Sequence, residues 1–147
     1  MRLGVLKEPQ YENRVSIVPA SVKKLVKLGF DVIVEQGAGQ NSHYMDDEYV
    51  EFGASLSDKT GVLSCDIIVS ISMPDISNCK SGQIVVCVAD PFRNPDRVNL
   101  ANKTGITLIS MDMIPRRLSR AQSMDVNSSQ DNLAGYKAVL LGAANAP

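Results

Sequence analysis

The sequence predicts an α/β fold built on an open, mainly parallel sheet. Short runs rich in β-branched residues alternate along the chain with segments of helical period, as expected of β-α-β units. The strand-like runs are almost continuously apolar, which is typical of parallel strands. These observations favour a twisted sheet of about five strands flanked by helices, of flavodoxin-like or Rossmann-like type, with a long C-terminal helix.

The predicted strands are short, and turn-forming or helical segments separate them. They cover residues 2–6, 31–35, 66–71, 83–88 and 105–110. One helix begins at Pro19, a residue suited to a first helical turn, and ends at Gly29. Further helices are predicted over 46–52, 95–103 and 128–144. The last of these has Ser128 and Asp131 at the spacing of a capping box.

Length and charge favour a single α/β subdomain over residues 1–147. The chain is close to the roughly 150 residues of one typical domain, and apolar residues make up 44% of it. Lys and Arg number 15 against 16 Asp and Glu, for a net charge of -1, without a long run of like charges. This balance disfavours a nucleic-acid partner.

Cysteine and histidine usage predicts no metal site. The three cysteines lack C-x-x-C spacing, and His43 is the only histidine. The cysteine pattern fits a reducing compartment. No window approaches the roughly 18 consecutive apolar residues of a transmembrane helix, so we expect the chain itself not to span a membrane.

A glycine pair after the second strand is the first candidate for chemistry. Gly37 and Gly39 begin a G-x-G pattern that in dinucleotide-binding folds holds a pyrophosphate. Ser42 stands where the third glycine or alanine belongs, and no apolar helix follows. We therefore predict an ordinary turn and no phosphate-binding turn in this chain.

A charged loop after the first strand is the second candidate. Lys7, Glu8, Glu12 and Arg14 lie where open α/β sheets place ligand sites, beyond a strand end. The alternative is a solvated loop in which Arg14 pairs with Glu8 or Glu12.

The third candidate is the polar segment 111–129, between the last strand and the last helix. It contains three arginines, two carboxamides, carboxylates and several hydroxyls. Gln122, Asp125 and Ser128 offer the donors and acceptors that a nicotinamide carboxamide requires. A plain loop with a capped helix is the competing interpretation.

The same segment carries a family resemblance. Residues 119–125, Ser128-Ser129 and 132–139 resemble the S-R-A-Q-S-x-D-A-L-S-S…N-x-A-G-Y-[RK]-A signature of the alpha subunit of proton-translocating NAD(P) transhydrogenases. The opening Lys7-Glu8, 12–15 and Pro19 also resemble that family and the related alanine dehydrogenases. The resemblance covers essentially the whole chain.

The resemblance implies a function for the complete subunit. It implies an NAD(H)-binding component that passes hydride between NADH and NADP+ while protons cross a membrane, with NADP(H) on a partner subunit and no metal. It also implies three assembly partners: a membrane domain, an NADP(H)-binding beta component and a second copy in a homodimer. The expected location is the cytoplasmic face of the bacterial inner membrane or the mitochondrial matrix side. The dinucleotide-binding Rossmann subdomain is expected to lie outside this chain, which alone would then not be catalytically competent.

The resemblance also assigns site residues. Gln122, Asp125 and Ser128 match positions around the nicotinamide. The accompanying arginine is Arg117 counting back from Gln122 and Arg116 counting forward from Pro115, because this sequence has one residue more than the family usually has. Asn127 replaces the usual leucine. The implied catalytic set is Gln122, Asp125 and Arg117, and Arg116 and Ser128 join these as cofactor contacts.

Two alternatives stay open. In a related alanine dehydrogenase, a lysine and a histidine lie near the substrate carbonyl. Here Ser70 matches the lysine position, and no histidine occurs over 86–91, whereas acid–base chemistry on a keto acid requires such groups. A non-catalytic assembly module is the second alternative.

Overall fold

Six parallel strands form one sheet in the first part of the chain. A computed structural model describes residues 1–146. The strands are β1 (Arg2–Val5), β2 (Asp31–Glu35), β3 (Ser55–Ser57), β4 (Ile67–Ser72), β5 (Ile84–Val88) and β6 (Thr107–Ser110). The helices are α1 (Pro19–Lys27), α2 (Asp46–Glu51), α3 (Lys59–Leu63), α4 (Pro95–Thr104) and α5 (Val126–Asn145). Three-residue 3-10 turns cover Gln40–Ser42, Met111–Met113 and Gln122–Met124.

The chain divides into two units at the end of β6. The first is Met1–Ser110 and contains the whole sheet, and the second begins at Met111 and contains α5. None of the helices within residues 1–146 combines the length and apolar character that crossing a bilayer requires.

The strand order is β3-β2-β1-β4-β5-β6. This is the doubly wound order typical of dinucleotide-binding sheets, and it differs from the flavodoxin order. The predicted class, an open parallel α/β sheet with a long C-terminal helix, is therefore confirmed in its Rossmann-like form.

Side chains alternate between two apolar clusters, because successive strand residues point to opposite faces of a sheet. In β2, Val32 and Val34 join one cluster with Val22 of α1 and Tyr49 of α2. Ile33 joins the other, which also contains Val62 of α3 and Ala101 of α4. Both faces are thus covered by helices, which explains the almost continuous apolar character of the central strands.

The structure adds one strand and one helix to the five strands and four helices predicted. Strand β3 is only Ser55–Ser57 and lies at the edge of the sheet, where it pairs with β2 alone and needs few apolar side chains. Helix α3 is one turn and a half long, and the Asp58 side chain caps it by accepting from Gly61 N (2.8 Å). Both elements are too short to show the repeating apolar pattern from which strands and helices are predicted.

The ends of two helices test the capping predictions. Gly29 has φ 86° and follows α1, and Phe30 N donates to Leu25 O (3.2 Å), so the predicted glycine stop is confirmed. The predicted capping box of Ser128 and Asp131 is wrong. Helix α5 begins two residues earlier, at Val126, because the Asp125 carboxylate accepts from Ser128 N and so serves as the N-cap.

Helix α3 lies very close to the central strand β1. A Cβ added at Gly4 would come 2.7 Å from the carbonyl oxygen of Val62 and 2.8 Å from its Cγ1. Since one of these atoms belongs to the backbone, a rotamer change cannot relieve the contact. The close approach therefore requires glycine at this strand position.

We expect Gly4→Ala to lower the free energy of unfolding by about 1–3 kcal/mol, the usual cost of overpacking a core. Urea unfolding followed by circular dichroism measures it. Gly135→Ala is the matched control, because no heavy atom lies within 4 Å of an added Cβ there. It should be neutral or stabilising by up to about 1 kcal/mol through helix propensity. Equal destabilisation by both variants would contradict the close approach.

Candidate functional site

A cavity opens where the strand order reverses, between β1 and β4. Open α/β sheets bind ligands beyond the carboxyl ends of the strands at such a point. The cavity has a volume of about 400 Å³. It is lined by Leu6, Lys7, Glu8, Pro9, Tyr11, Glu35, Lys59, Ser70, Ser72, Met73, Pro74 and Asp75. The charged loop predicted from sequence therefore does contribute to a concave surface.

Glu8 holds the β4 side of this cavity. Its side chain is buried, with only 7% of the residue exposed. One carboxylate oxygen accepts from Ile71 N (2.5 Å) and the other from Ser72 N (2.9 Å). Successive N–H groups of a regular strand point to opposite edges, and the β4–β5 register is irregular between Val69 and Ser72. That irregularity allows both N–H groups to face one carboxylate.

Two further groups of the loop have protein partners. The backbone N–H of Lys7 donates to Glu35 Oε2 (2.9 Å). Arg14 pairs with Glu12 through Nε (2.8 Å) and Nη2 (2.5 Å). The hydrogen bonds from Arg14 lower the pKa of Glu12, and those to Glu12 raise the pKa of Arg14.

The glycine pair forms a turn. Gly37 has φ 72°, and Gly39 leads into the 3-10 turn Gln40–Ser42 rather than into an α-helix. A Cβ at Gly39 would lie 2.7 Å from the hydroxyl of Tyr49, which donates to Ile17 O (3.0 Å). Burial raises the pKa of Tyr49 to about 12. The glycine at position 39 thus makes room for a buried tyrosine.

The second unit gathers three of the predicted site residues at the start of α5. Asp125 Oδ1 accepts from Ser128 N (3.0 Å), and Oδ2 accepts from Ser128 Oγ (2.6 Å). Arg116 Nε lies 3.8 Å from Asp125 Oδ1. The Ser128 hydrogen bonds, with a smaller contribution from the Arg116 charge, lower the pKa of the Asp125 carboxyl.

The two candidate arginines differ in their surroundings. Arg116 Nη2 also lies 3.5 Å from Asp131 Oδ2, so its guanidinium is between two carboxylates. Arg117 is exposed, and it forms no ion pair with any residue of the described chain. The structure thus brings Arg116, and not Arg117, beside Asp125.

Gln122 lies one 3-10 turn before the cap. Asp125 N donates to Gln122 O (3.3 Å), which links the two residues through the backbone. The residue is exposed, and no hydrogen bond to its carboxamide occurs within residues 1–146. The carboxamide thus keeps both a donor and an acceptor for a ligand.

Asn127 has a role that sequence reasoning missed. Its Nδ2 donates to the Asp112 carbonyl (3.2 Å), which ties the first turn of α5 to the 3-10 turn Met111–Met113. The polar change at this position was visible in the sequence. Its partner was not, because a backbone carbonyl carries no sequence signal.

Comparison with known proteins assigns the chain to a family. A family model described as "Alanine dehydrogenase/PNT, N-terminal domain" matches residues 4–134. The chain belongs to this family. It is 39% identical to the first part of the NAD(P) transhydrogenase alpha subunit of Rhodospirillum rubrum, across 97% of this chain and 40% of that protein.

Two solved structures of this family are similar in fold. The transhydrogenase from Sinorhizobium meliloti aligns with a TM-score of 0.91 and 40% identity, covering 98% of this chain and 44% of the other. An L-alanine dehydrogenase aligns with a TM-score of 0.75 and 25% identity, covering 82% of this chain and 34% of the dehydrogenase chain. The chain therefore spans less than half the length of the relatives that it matches.

We expect Glu8→Ala to lower the free energy of unfolding by about 3 kcal/mol, because two partly buried N–H groups lose a charged acceptor. Glu8→Gln keeps one acceptor oxygen and should cost roughly half as much. Urea unfolding gives both values. Glu51→Ala, at an exposed position of α2, is the control and should stay within about 0.5 kcal/mol of the unsubstituted protein. A Glu8→Ala protein as stable as that control would contradict the assigned role.

The Asp125 cap predicts a pH dependence of stability. Because folding lowers the pKa of this carboxyl, its charge stabilises the folded chain above the ordinary pKa of about 3.9. The stabilisation disappears as the pH falls through the lower, folded value. An asparagine at this position would still cap the helix but carries no charge, so the melting temperature of Asp125→Asn should fall below that of the unsubstituted protein at neutral pH.

The measurement is the difference between the two melting temperatures from neutral pH down to about pH 3. We expect the difference to be constant above about pH 5 and to shrink toward zero below it. A difference that persists unchanged at the lowest pH would show that the charge does not stabilise the cap.

Proposed function

We propose that this chain is part of the NAD(H)-binding component of a transhydrogenase that transfers hydride between NADH and NADP+. The observation that carries the proposal is the contact of Arg116 with Asp125 and of Asp125 with Ser128, one turn after Gln122. These residues lie in the segment that resembles the transhydrogenase signature. The similarity to the Rhodospirillum rubrum alpha subunit over 97% of the chain supports the same assignment.

The residues of this segment fit a nicotinamide. The carboxamide of the nicotinamide needs a donor and an acceptor, and the exposed Gln122 carboxamide supplies both. Neither contact of Arg116 is short enough for a hydrogen bond, so its N–H groups also stay available. Bound NADH would supply the hydride, and the protein would supply orientation.

Asp125 is proposed to position the site, with no part in proton transfer. Its pKa lies below its ordinary range, so the carboxyl carries no proton to donate near neutral pH. Its two oxygens are engaged by Ser128. What remains is its charge, which faces Arg116 Nε at 3.8 Å.

The wider assembly belongs to the same proposal. In it, the complete subunit binds NAD(H), a beta component binds NADP(H), and a membrane domain couples hydride transfer to proton translocation. The subunit forms a homodimer on the cytoplasmic face of a bacterial inner membrane, or on the matrix side in mitochondria. These statements rest on the family resemblance.

Alanine dehydrogenase activity is the second candidate, supported by the similarity in fold to an L-alanine dehydrogenase. Ser70 argues against it. The cavity residue that matches the dehydrogenase lysine is here a serine whose hydroxyl donates to Ser72 O (2.8 Å). Pyruvate formation from alanine and NAD+ by the complete protein, without reduction of NADP+ by NADH, would favour this alternative. If the complete protein showed neither activity, that result would favour a non-catalytic assembly module.

We expect Gln122→Asn and Asp125→Asn to slow hydride transfer in the assembled enzyme by at least about tenfold. A displacement of about 1 Å at the reacting centre can cost roughly 100-fold in rate. Dissociation constants for NADH should change little. At neutral pH the melting temperature of Asp125→Asn should fall only by the amount that loss of the charge causes, since asparagine remains a good N-cap. Stopped-flow reduction of NADP+ by NADH measures the rate.

Asp96→Asn is the control, because Asp96 is likewise a carboxylate at the start of a helix, and it is exposed. It should transfer hydride at the normal rate. If the Gln122 and Asp125 variants melt much earlier but transfer hydride normally when folded, the segment is only a helix cap.

A further inference from the structure

Arg116 is held at two points. Its Nε lies 3.8 Å from Asp125 Oδ1, and its Nη2 lies 3.5 Å from Asp131 Oδ2. Because different nitrogens of one planar group face different carboxylates, the pair restrains the plane of the guanidinium as well as its position. A single ion pair would leave the group free to rotate.

The two carboxylates are not equivalent. Asp125 is 9% exposed at its side chain, and both its oxygens accept hydrogen bonds from Ser128. Asp131 is 71% exposed, and within residues 1–146 its only ion-pair partner is Arg116. Asp131 is thus the carboxylate whose charge is directed at the arginine alone.

The contact also distinguishes two adjacent residues of the same type. Arg117 has no carboxylate partner in the described chain, so its side chain lacks the restraint that Arg116 has. Counting residues along the sequence leaves the choice between them open, since the segment is one residue longer than the family pattern.

We propose that Asp131 is a positioning residue that selects Arg116, rather than Arg117, as the arginine beside the nicotinamide. This inference rests on the proposed function and adds a residue outside the recognised signature. Asp131 restrains the guanidinium without forming a hydrogen bond at 3.5 Å. The arginine is therefore oriented in advance and still has N–H groups to donate to a ligand.

The first test needs no turnover. The intact protein that carries this chain is treated with phenylglyoxal, which modifies arginine side chains, and the modified positions are resolved by tandem mass spectrometry. Exposed ion pairs shift equilibria by no more than about fivefold. We expect Asp131→Asn to speed modification of Arg116 by roughly two- to fivefold and to leave Arg117 unchanged.

Asp131→Glu provides the rescue, because it keeps the charge on a side chain one methylene longer. It should restore slow modification of Arg116. Asp96→Asn, far from Arg116 in sequence and in the other unit, should have no effect. Equal modification of Arg116 in the unsubstituted, Asp131→Asn and Asp131→Glu proteins would overturn the proposal.

The second test is a double-mutant cycle on hydride transfer in the assembled enzyme. If Asp131 acts through Arg116, Asp131→Asn should slow transfer roughly two- to fivefold and should have no further effect once Arg116→Gln is present. Additive effects would mean that Asp131 acts on something else. An unsubstituted enzyme without hydride transfer would instead defeat the proposed function, and the labelling result would still decide whether Asp131 restrains Arg116.

Discussion

Hydrogen bonding at the carboxyl end of β4 depends on a side chain, because β1 stops short of it. The last backbone contact of the first strand is Leu6 N to Val69 O (3.1 Å). Beyond that point, Glu8 accepts from Ile71 N and Ser72 N. A carboxylate has two acceptor oxygens, whereas an amide has one. The Ser70 and Ser72 wall of the cavity therefore depends on a glutamate that lies in a different segment of the chain.

Much of the fold was predictable because burial on both faces leaves a strong mark on a parallel strand. The strands β1, β2, β4, β5 and β6 are all recognisable as short apolar runs. Strand β3 was not, since an edge strand of three residues needs few apolar side chains. Helix α3 was missed for the same reason, although Asp58 offered a local cap signal. Short elements are specified by their neighbours more than by their own residues.

The candidate site was predictable in part. Gln122, Asp125 and Ser128 could be singled out from a signature, but the contacts among them could not. The sequence suggested Ser128 as the start of a capping box, whereas in the structure Asp125 caps the helix by accepting a hydrogen bond from Ser128 N. The difference between Arg116 and Arg117 required coordinates, because it lies in the contacts that Arg116 makes with Asp125 and Asp131. The sheet has the strand order of a dinucleotide-binding fold, yet its first β-α connection, residues 6–18, contains no glycine. Strand order alone therefore does not supply a phosphate site.

The anchors at the two ends of the arginine-containing loop bear on how its length can change during evolution. The 3-10 turn Met111–Met113 precedes the loop, and its Asp112 carbonyl accepts a hydrogen bond from the Asn127 side chain. After it, the Asp125 cap fixes the start of α5. Residues 115–120 lie between these anchors and are exposed throughout. An inserted residue in that stretch lengthens a surface loop without moving either end, and added loop length costs little free energy. Insertions and deletions can therefore accumulate here at low cost, and the arginines of the loop can shift by one position while both anchors stay in place.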